Sequence, residues 1–199
     1  MLFSSWEMLL ESNKLGGFAI AIFGFLAGVV VLFAMEKLIP HAHSIMKRGE
    51  ISNQEKRAAL IAGAITLHNI PEGFAIASGF AASGGLGWLV SLSIAAQDFP
   101  EGLIVAAPLI AYGVSKKDAI FWGIFSGAVE GAAAIAGYAF LFSISSITPL
   151  ALSFSAGAMV FVTFFELLPD AFSCKNKWLP VISILAGFAT AYAISMLLL

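Results

Sequence analysis

The sequence predicts an all-α fold, a polytopic membrane helix bundle of about six transmembrane helices. Three observations predict it. Of the 199 residues, 60% are hydrophobic and 11% charged, with a mean hydropathy of +0.95, whereas a soluble domain carries about 25% charged residues. The apolar residues fall into six runs that approach or exceed the ~20 residues a spanning helix needs. The basic residues between those runs fall almost wholly on one side of a six-helix path. No soluble domain can be fitted, so residues 1–199 read as a single transmembrane domain.

Residues 1–17 read as a short, outward-facing polar lead that closes on Gly16-Gly17. Met1 to Glu11 lacks the basic start of a cleavable signal. The first span covers about 18–39, with Gly24 and Gly28 at the spacing that lets helix backbones approach. Pro40-His41-Ala42-His43 is expected to end it, opening a hydrophilic cytoplasmic loop over 40–57. The second span covers about 58–80 and centres on Asn69. A tight Ser83-Gly84-Gly85 turn leads to the third, about 87–112, centred near Phe99-Pro100. After Lys116-Lys117-Asp118 the fourth span, about 119–142, carries Glu130 at its midpoint. Gly123, Gly127 and Gly131 recur every four residues there and are expected to mark close helix packing. The fifth covers about 149–168 and ends on Glu166-Leu167-Leu168-Pro169-Asp170, and the sixth runs from about Trp178 to the C-terminus.

Orientation follows from the basic residues. Lys37, Lys47, Arg48, Lys56, Arg57, Lys116, Lys117, Lys175 and Lys177 lie on one side, and Lys14 alone lies on the other. Nine of ten basic residues therefore place the loops after helices one, three and five in the cytoplasm. Both termini then face outward from a plasma or inner membrane. Cys174 is the only cysteine, which excludes a disulfide framework and a cysteine metal cluster. The formal charge of −2 says little about partners, and the lipid bilayer rather than a nucleic acid is the expected surrounding.

Two segments carry the chemistry: His68-Asn69-Ile70-Pro71-Glu72-Gly73 and Gln97-Asp98-Phe99-Pro100-Glu101-Gly102. They correspond position for position, in consecutive and oppositely directed helices, the pattern of an inverted repeat. With Glu130 they put Glu72, Asp98 and Glu101 in the middle of three spans. Each charge at the bilayer centre costs roughly 2.5–3.5 kcal/mol on insertion scales. The Lys and Arg residues all lie in loops or at span ends, which leaves protons or metal cations as the counter-charge.

Helical spacing sharpens this. His68 lies four residues before Glu72 and Asn69 three before it, so all three share a face. Gln97, Asp98 and Glu101 repeat the arrangement on the next helix. Two such helices facing each other would join the glutamates, with His68 and Gln97 on one side and Asn69 and Asp98 on the other. That predicts two adjacent cation positions sharing carboxylates. Imidazole with carboxylates suits zinc and neighbouring divalent transition metals, and an all-oxygen position is less selective. Pro71 and Pro100 free the carbonyls of Leu67 and Ala96, which could solvate a cation.

Blander readings exist for each residue. Alone, His68 would read as an interhelical hydrogen-bonder; with Glu72 beneath it and the second motif alongside, it reads as a ligand. Asn69 and Gln97 serve either as interhelical glue or as ligands. Glu130 reads as a ligand or as a protonated carboxyl paired with a hydroxyl such as Ser126. Enzymes fit less well. A hydrolytic zinc site would show His-Glu-x-x-His, and a di-iron carboxylate site would need Glu-x-x-His on two helices. The chain has neither, so no enzymatic activity is expected.

The paired HNIPEG and QDFPEG motifs resemble the signature helices of the ZIP (Zrt/Irt-like) divalent-metal transporters. The likeness runs from about Phe18 to the C-terminus. It implies a binuclear intramembrane site, with His68, Glu72, Gln97 and Glu101 forming one metal position. Asn69, Asp98 and Glu130, with the shared glutamates, would form the other. It implies uptake of Zn2+, or of Cd2+, Fe2+ or Mn2+, toward the cytoplasm by a rigid-body, elevator-like motion, with no separate cofactor. Glu36, His41, His43 and Glu166 would line a cytoplasmic exit path. The family has eight spanning helices in a 3+2+3 inverted-repeat plan, and this chain offers six, starting where the third would be. Phe165-Glu166 stands where many relatives have His-Glu. A homo-oligomer, such as a dimer, would complete the unmatched face. The alternative is a metal-binding membrane subunit that does not transport.

Overall fold

A computed structural model describes residues 1–46, 53–111, 113–173 and 176–199. Its elements are helices throughout: α1 (Leu2–Gly16), α2 (Phe18–Met46), α3 (Asn53–Ala82), α4 (Gly84–Ala111), α5 (Lys116–Ser143), α6 (Thr148–Val162), α7 (Leu168–Phe172) and α8 (Trp178–Leu198). A short 3₁₀ turn (Ser145–Ile147) precedes α6, and a π turn (Thr163–Leu167) joins it to α7. The all-α membrane bundle read from the sequence is therefore the observed architecture. Among the described residues, Phe18–Met35, Lys116–Ser143, Ser145–Phe165 and Trp178–Leu198 are each long and apolar enough to cross a bilayer. Helices α3 and α4, with 30 and 28 residues, match them in length and carry the two polar motifs.

The connections follow local chemistry. Gly17 turns α1 into α2 at φ 81°, and Gly113 turns the chain between α4 and α5 at φ 90°, a left-handed conformation that glycine adopts without a Cβ clash. Ser83 Oγ accepts the Leu86 N–H at 3.1 Å to open α4. Ser115 Oγ accepts the Asp118 N–H at 3.1 Å to open α5. Each hydroxyl satisfies an amide that the first helical turn would otherwise leave unpaired.

Two expectations are corrected by the backbone. The stretch read as a polar lead is helix α1, which buries Phe3, Ser4, Ser5, Met8 and Ser12. Its polar residues are short hydroxyls that find carbonyls: Ser4 and Ser5 donate to Met1 O, and Ser12 donates to Pro149 O at 2.6 Å. Satisfied in this way, they pack as small residues. Of the stretch expected as a loop over 40–57, residues 40–46 and 53–57 are helical. Helix α2 continues through Pro40 to Met46 and α3 begins at Asn53. A proline forfeits one helical hydrogen bond, which neighbouring groups can replace. Lys47 and Arg48 lie outside the described residues, as do Cys174 and Lys175.

Packing divides the helices into two groups. One is α3 with α4 and α5; the other is α1 and α2 wrapped on α6, and α8 lies outside against α4 and α1. Helix α6 is the most enclosed, burying Ala151, Leu152, Ser153, Ser155, Ala156, Gly157, Ala158, Met159, Phe161 and Val162. The apolar core that joins the groups draws Phe3 and Met8 from α1, Ala75 from α3, Leu86, Leu89, Val90 and Ile94 from α4, and Leu152, Ala156 and Met159 from α6. Where α3 crosses α6, the buried Ser78 and Ser155 hydroxyls meet at 3.3 Å.

Helices α2 and α6 approach through glycine. A Cβ on Gly28 would lie 2.0 Å from Phe154 O, and one on Gly157 would lie 2.0 Å from Phe25 O. Because the obstacles are backbone atoms, a methyl group at either position has to push the helices apart. Gly187 on α8 has nothing within 4 Å of that position. Gly28→Ala and Gly157→Ala are therefore expected to cost about 1–3 kcal/mol or more, read as a lowered thermal midpoint in detergent. Gly187→Ala should be neutral or raise the midpoint, since alanine favours helix by roughly 1 kcal/mol over glycine.

Candidate metal centre

The site is assembled within one helix group. The first motif lies within α3 and the second within α4, both helices continuing past their prolines, and Glu130 lies on α5. The glycine of the first motif sets how closely α3 and α5 meet. A Cβ on Gly73 would stand 2.2 Å from Glu130 O and 2.8 Å from Ala133 Cβ. The residue after Glu72 is thus the point where the α5 backbone comes closest, which brings Glu130 beside Glu72. On the other side, a Cβ on Gly123 would stand 3.3 Å from Gly102 O, so α5 meets α4 at the backbone of the second motif, while a Cβ on Gly102 itself would meet nothing within 4 Å.

Three carboxylates converge there. One ligand oxygen from each of Glu72, Asp98 and Glu130 can be chosen so that all lie within 4.8 Å of one another, a spacing that one cation could bridge. Glu72 and Glu130 are buried, and Asp98 is half-buried. A cavity of about 30 Å³ adjoins them, lined by Asn69, Asp98, Glu101 and Glu130 together with Ser126 and glycines. It exceeds the 10–15 Å³ that one water needs, so an ion, bare or with water, fits.

The hydrogen bonds around the cavity fix its polarity. Gln97 Nε2 donates to Glu72 Oε1 at 2.6 Å, tying α4 to α3. Asn69 Nδ2 donates to Ser126 O at 2.9 Å and to Ser126 Oγ at 3.1 Å, tying α3 to α5. What remains is acceptor. Glu72 Oε2 and Asn69 Oδ1 are buried with no hydrogen-bond partner. A buried acceptor left unpaired costs about 1–3 kcal/mol, more when charged. Two of them beside a carboxylate cluster make a site that a cation would satisfy.

Asn69, Glu72, Asp98 and Glu130 come together, and Glu101 lines the same cavity. Gln97 reaches the site through its contact with Glu72. His68 is half-buried one helical turn before Glu72. The backbones of Glu36, His41 and His43 lie in α2 and that of Glu166 in the π turn, but these side chains lie outside what the structure describes.

One packing expectation is overturned. Gly127 and Gly131 have nothing within 4 Å of a built Cβ, and Gly127 lines the cavity instead. The buried face of α5 is Ala119, Ser126, Glu130, Gly137 and Leu141. Gly127 and Gly131 each lie one residue past that stripe, about 100° around the helix, and so face away from it. The glycines that permit close approach are Gly73 and Gly137 instead. Their signal was present, since Gly73 belongs to the first motif and Ser126 falls one turn before Glu130.

A family model described as "ZIP Zinc transporter" matches residues 35–195. The chain belongs to this family. Among curated relatives, zinc transporter GufA of Myxococcus xanthus is 36% identical over 175 residues, covering 87% of this chain and 69% of that protein. Zinc transporter ZupT of Corynebacterium glutamicum is 34% identical over 196 residues, covering 92% of this chain and 74% of that one. A longer relative from Arabidopsis thaliana is 29% identical over 174 residues, and the chain spans only 28% of its length. Membership in the ZIP family, with four helices apolar and long enough to cross a bilayer, makes the bundle an integral membrane protein.

Because Gly73 sets the α3–α5 approach, Gly73→Ala should displace Glu130 from Glu72 while Gly131→Ala should not. With ligand at about 100 times its Kd, binding adds about 2.7 kcal/mol of stability. The zinc-induced rise in thermal midpoint is expected to persist in Gly131→Ala and to shrink or vanish in Gly73→Ala.

Proposed function

We propose that this ZIP family protein carries divalent transition metal, zinc first among them, toward the cytoplasm through the intramembrane site on α3, α4 and α5. The observation that carries the reading is the convergence of Glu72, Asp98 and Glu130 around buried acceptors that no protein donor satisfies. The relatives named as zinc transporters support the same reading. Two metal positions are proposed. His68, Glu72, Gln97 and Glu101 form one, and Asn69, Asp98 and Glu130 with the shared glutamates form the other. The second is the oxygen-rich one, consistent with weaker discrimination among Cd2+, Fe2+ and Mn2+. Glu36, His41, His43 and Glu166 remain the proposed exit path.

The division of the helices supports a rigid-body motion. Every proposed site ligand lies on α3, α4 or α5, so an ion held among them travels with that group while α1, α2 and α6 stay together. The α3 and α4 faces turned toward α1 and α6 carry Ala75, Ser78 and aliphatic side chains. Both termini are proposed to lie outside, with a second copy of the chain covering the exposed apolar surface. A non-transporting metal-binding subunit is the competing reading.

Flux and binding on one preparation separate the two. In proteoliposomes, Glu72→Ala and Glu101→Ala are each expected to lower zinc or cadmium flux at least about tenfold, the loss of roughly 1.4 kcal/mol of binding to the moving state. Unchanged flux in both would refute transport through this site, and metal binding without flux in the unsubstituted chain would favour the subunit. Protons compete with metal for carboxylates and imidazole, so flux should fall as the outside is acidified. A steady rise toward acid would contradict that competition.

A further inference from the structure

The Asn69 amide has two ends with different fates. Its nitrogen, which carries two N–H donors, is spent on one residue: Ser126 accepts through its backbone carbonyl at 2.9 Å and through its hydroxyl at 3.1 Å. Its oxygen has no partner, although Asn69 is only 5% exposed. Turning the amide over would set Asn69 Oδ1 against the Ser126 carbonyl, acceptor facing acceptor, and would leave the nitrogen as a donor beside Asp98 and Glu130. Both residues line the cavity. Ser126 therefore decides which face Asn69 offers to an ion.

We infer that Ser126 is a positioning residue: through Asn69 it holds a neutral oxygen, and not an N–H, toward the metal cavity. The inference rests on the metal-site reading and adds a residue to it that the carboxylate pattern does not contain. A freely turning amide would present a donor to the cation part of the time, and the ion would have to bear the cost of reorienting it. Fixing the oxygen in advance removes that cost. The α5 stripe explains why this serine is the one available. Ser126 and Glu130 lie one turn apart on the same buried face, so the residue that orients Asn69 and the carboxylate beside it arrive together.

The test is a double-mutant cycle on zinc affinity, measured by equilibrium binding to the purified full chain. Ser126→Ala keeps the backbone acceptor and removes the hydroxyl, so zinc affinity is expected to fall roughly three- to tenfold, the worth of one ordinary hydrogen bond. Ser126→Thr restores the hydroxyl and should restore the affinity. In an Asn69→Ala background, Ser126→Ala should have no further effect, because nothing is left to orient. An equal loss in both backgrounds would overturn the inference and make Ser126 a ligand or a packing residue in its own right. Unaltered affinity in Ser126→Ala would also overturn it. If Ser126→Ala does not fold, Ser126→Cys, a weaker acceptor of similar size, takes its place in the cycle. Failure of the unsubstituted chain to bind zinc would instead defeat the metal-site reading itself, and this inference with it.

Discussion

Unsatisfied negative polarity at the centre of the bundle is the constraint on which the rest depends. Burying a carboxylate in a low-dielectric interior is unfavourable without a partner, and here three carboxylates converge beside a buried amide oxygen that has no hydrogen-bond partner. The hydrogen bonds of Gln97 to Glu72 and of Asn69 to Ser126 engage one polar atom of Glu72 and one of Asn69 and leave Glu72 Oε2 and Asn69 Oδ1 without a partner. The hydrogen bonding ties the side chains across helices but leaves these two acceptor atoms unsatisfied. A helix bundle folded for stability alone would have filled these positions with leucine. On the metal-site reading, the arrangement is costly when empty and would be favourable with a divalent ion inside.

Close approach of backbones makes that arrangement possible. Gly73 lets α5 come against α3 beside Glu130, and Gly28 and Gly157 do the same for α2 and α6. In lipid there is no hydrophobic force between helices, so association rests on such fits and on interhelical hydrogen bonds. The consequence is two tightly fitted groups that meet through a mixed seam of alanine, serine and aliphatic side chains. The Ser78–Ser155 contact crosses that seam with a neutral hydroxyl pair, a weak tie compared with a buried salt bridge.

The fold class was legible in the sequence because apolar run length is a direct reading of bilayer thickness. The convergence of the motifs was legible because charge in such a run needs a reason and the helical period sets which residues share a face. Residues Asn69, Glu72, Asp98 and Glu130 do meet. What escaped were features that periodicity cannot resolve. A four-residue glycine repeat shows that one helix face is small but not that it is the packed face, so Gly127 and Gly131 misled while Gly73 was overlooked. The polar lead was misjudged because serine counts as polar in composition, although in a helix its hydroxyl reaches a carbonyl and packs like alanine, as Ser12 does on Pro149. Pro40 likewise reads as a stop, yet one lost hydrogen bond does not end a helix whose neighbours continue it.

Placing all the proposed ligands on one helix group has an energetic consequence for the carrier reading. An ion shared between α3 and a helix of the other group would have to exchange ligands whenever the groups moved, and each exchange would expose a bare divalent charge to the low-dielectric seam. Held by α3, α4 and α5 alone, the ion keeps its coordination while the surroundings change, and the carboxylates stay neutralised throughout. The seam then needs only to be smooth and nearly uncharged. The alanine, leucine and methionine contacts and the serine pair that join the groups are of that kind, and on the carrier reading they answer the same electrostatic cost that gathers the ligands on one group.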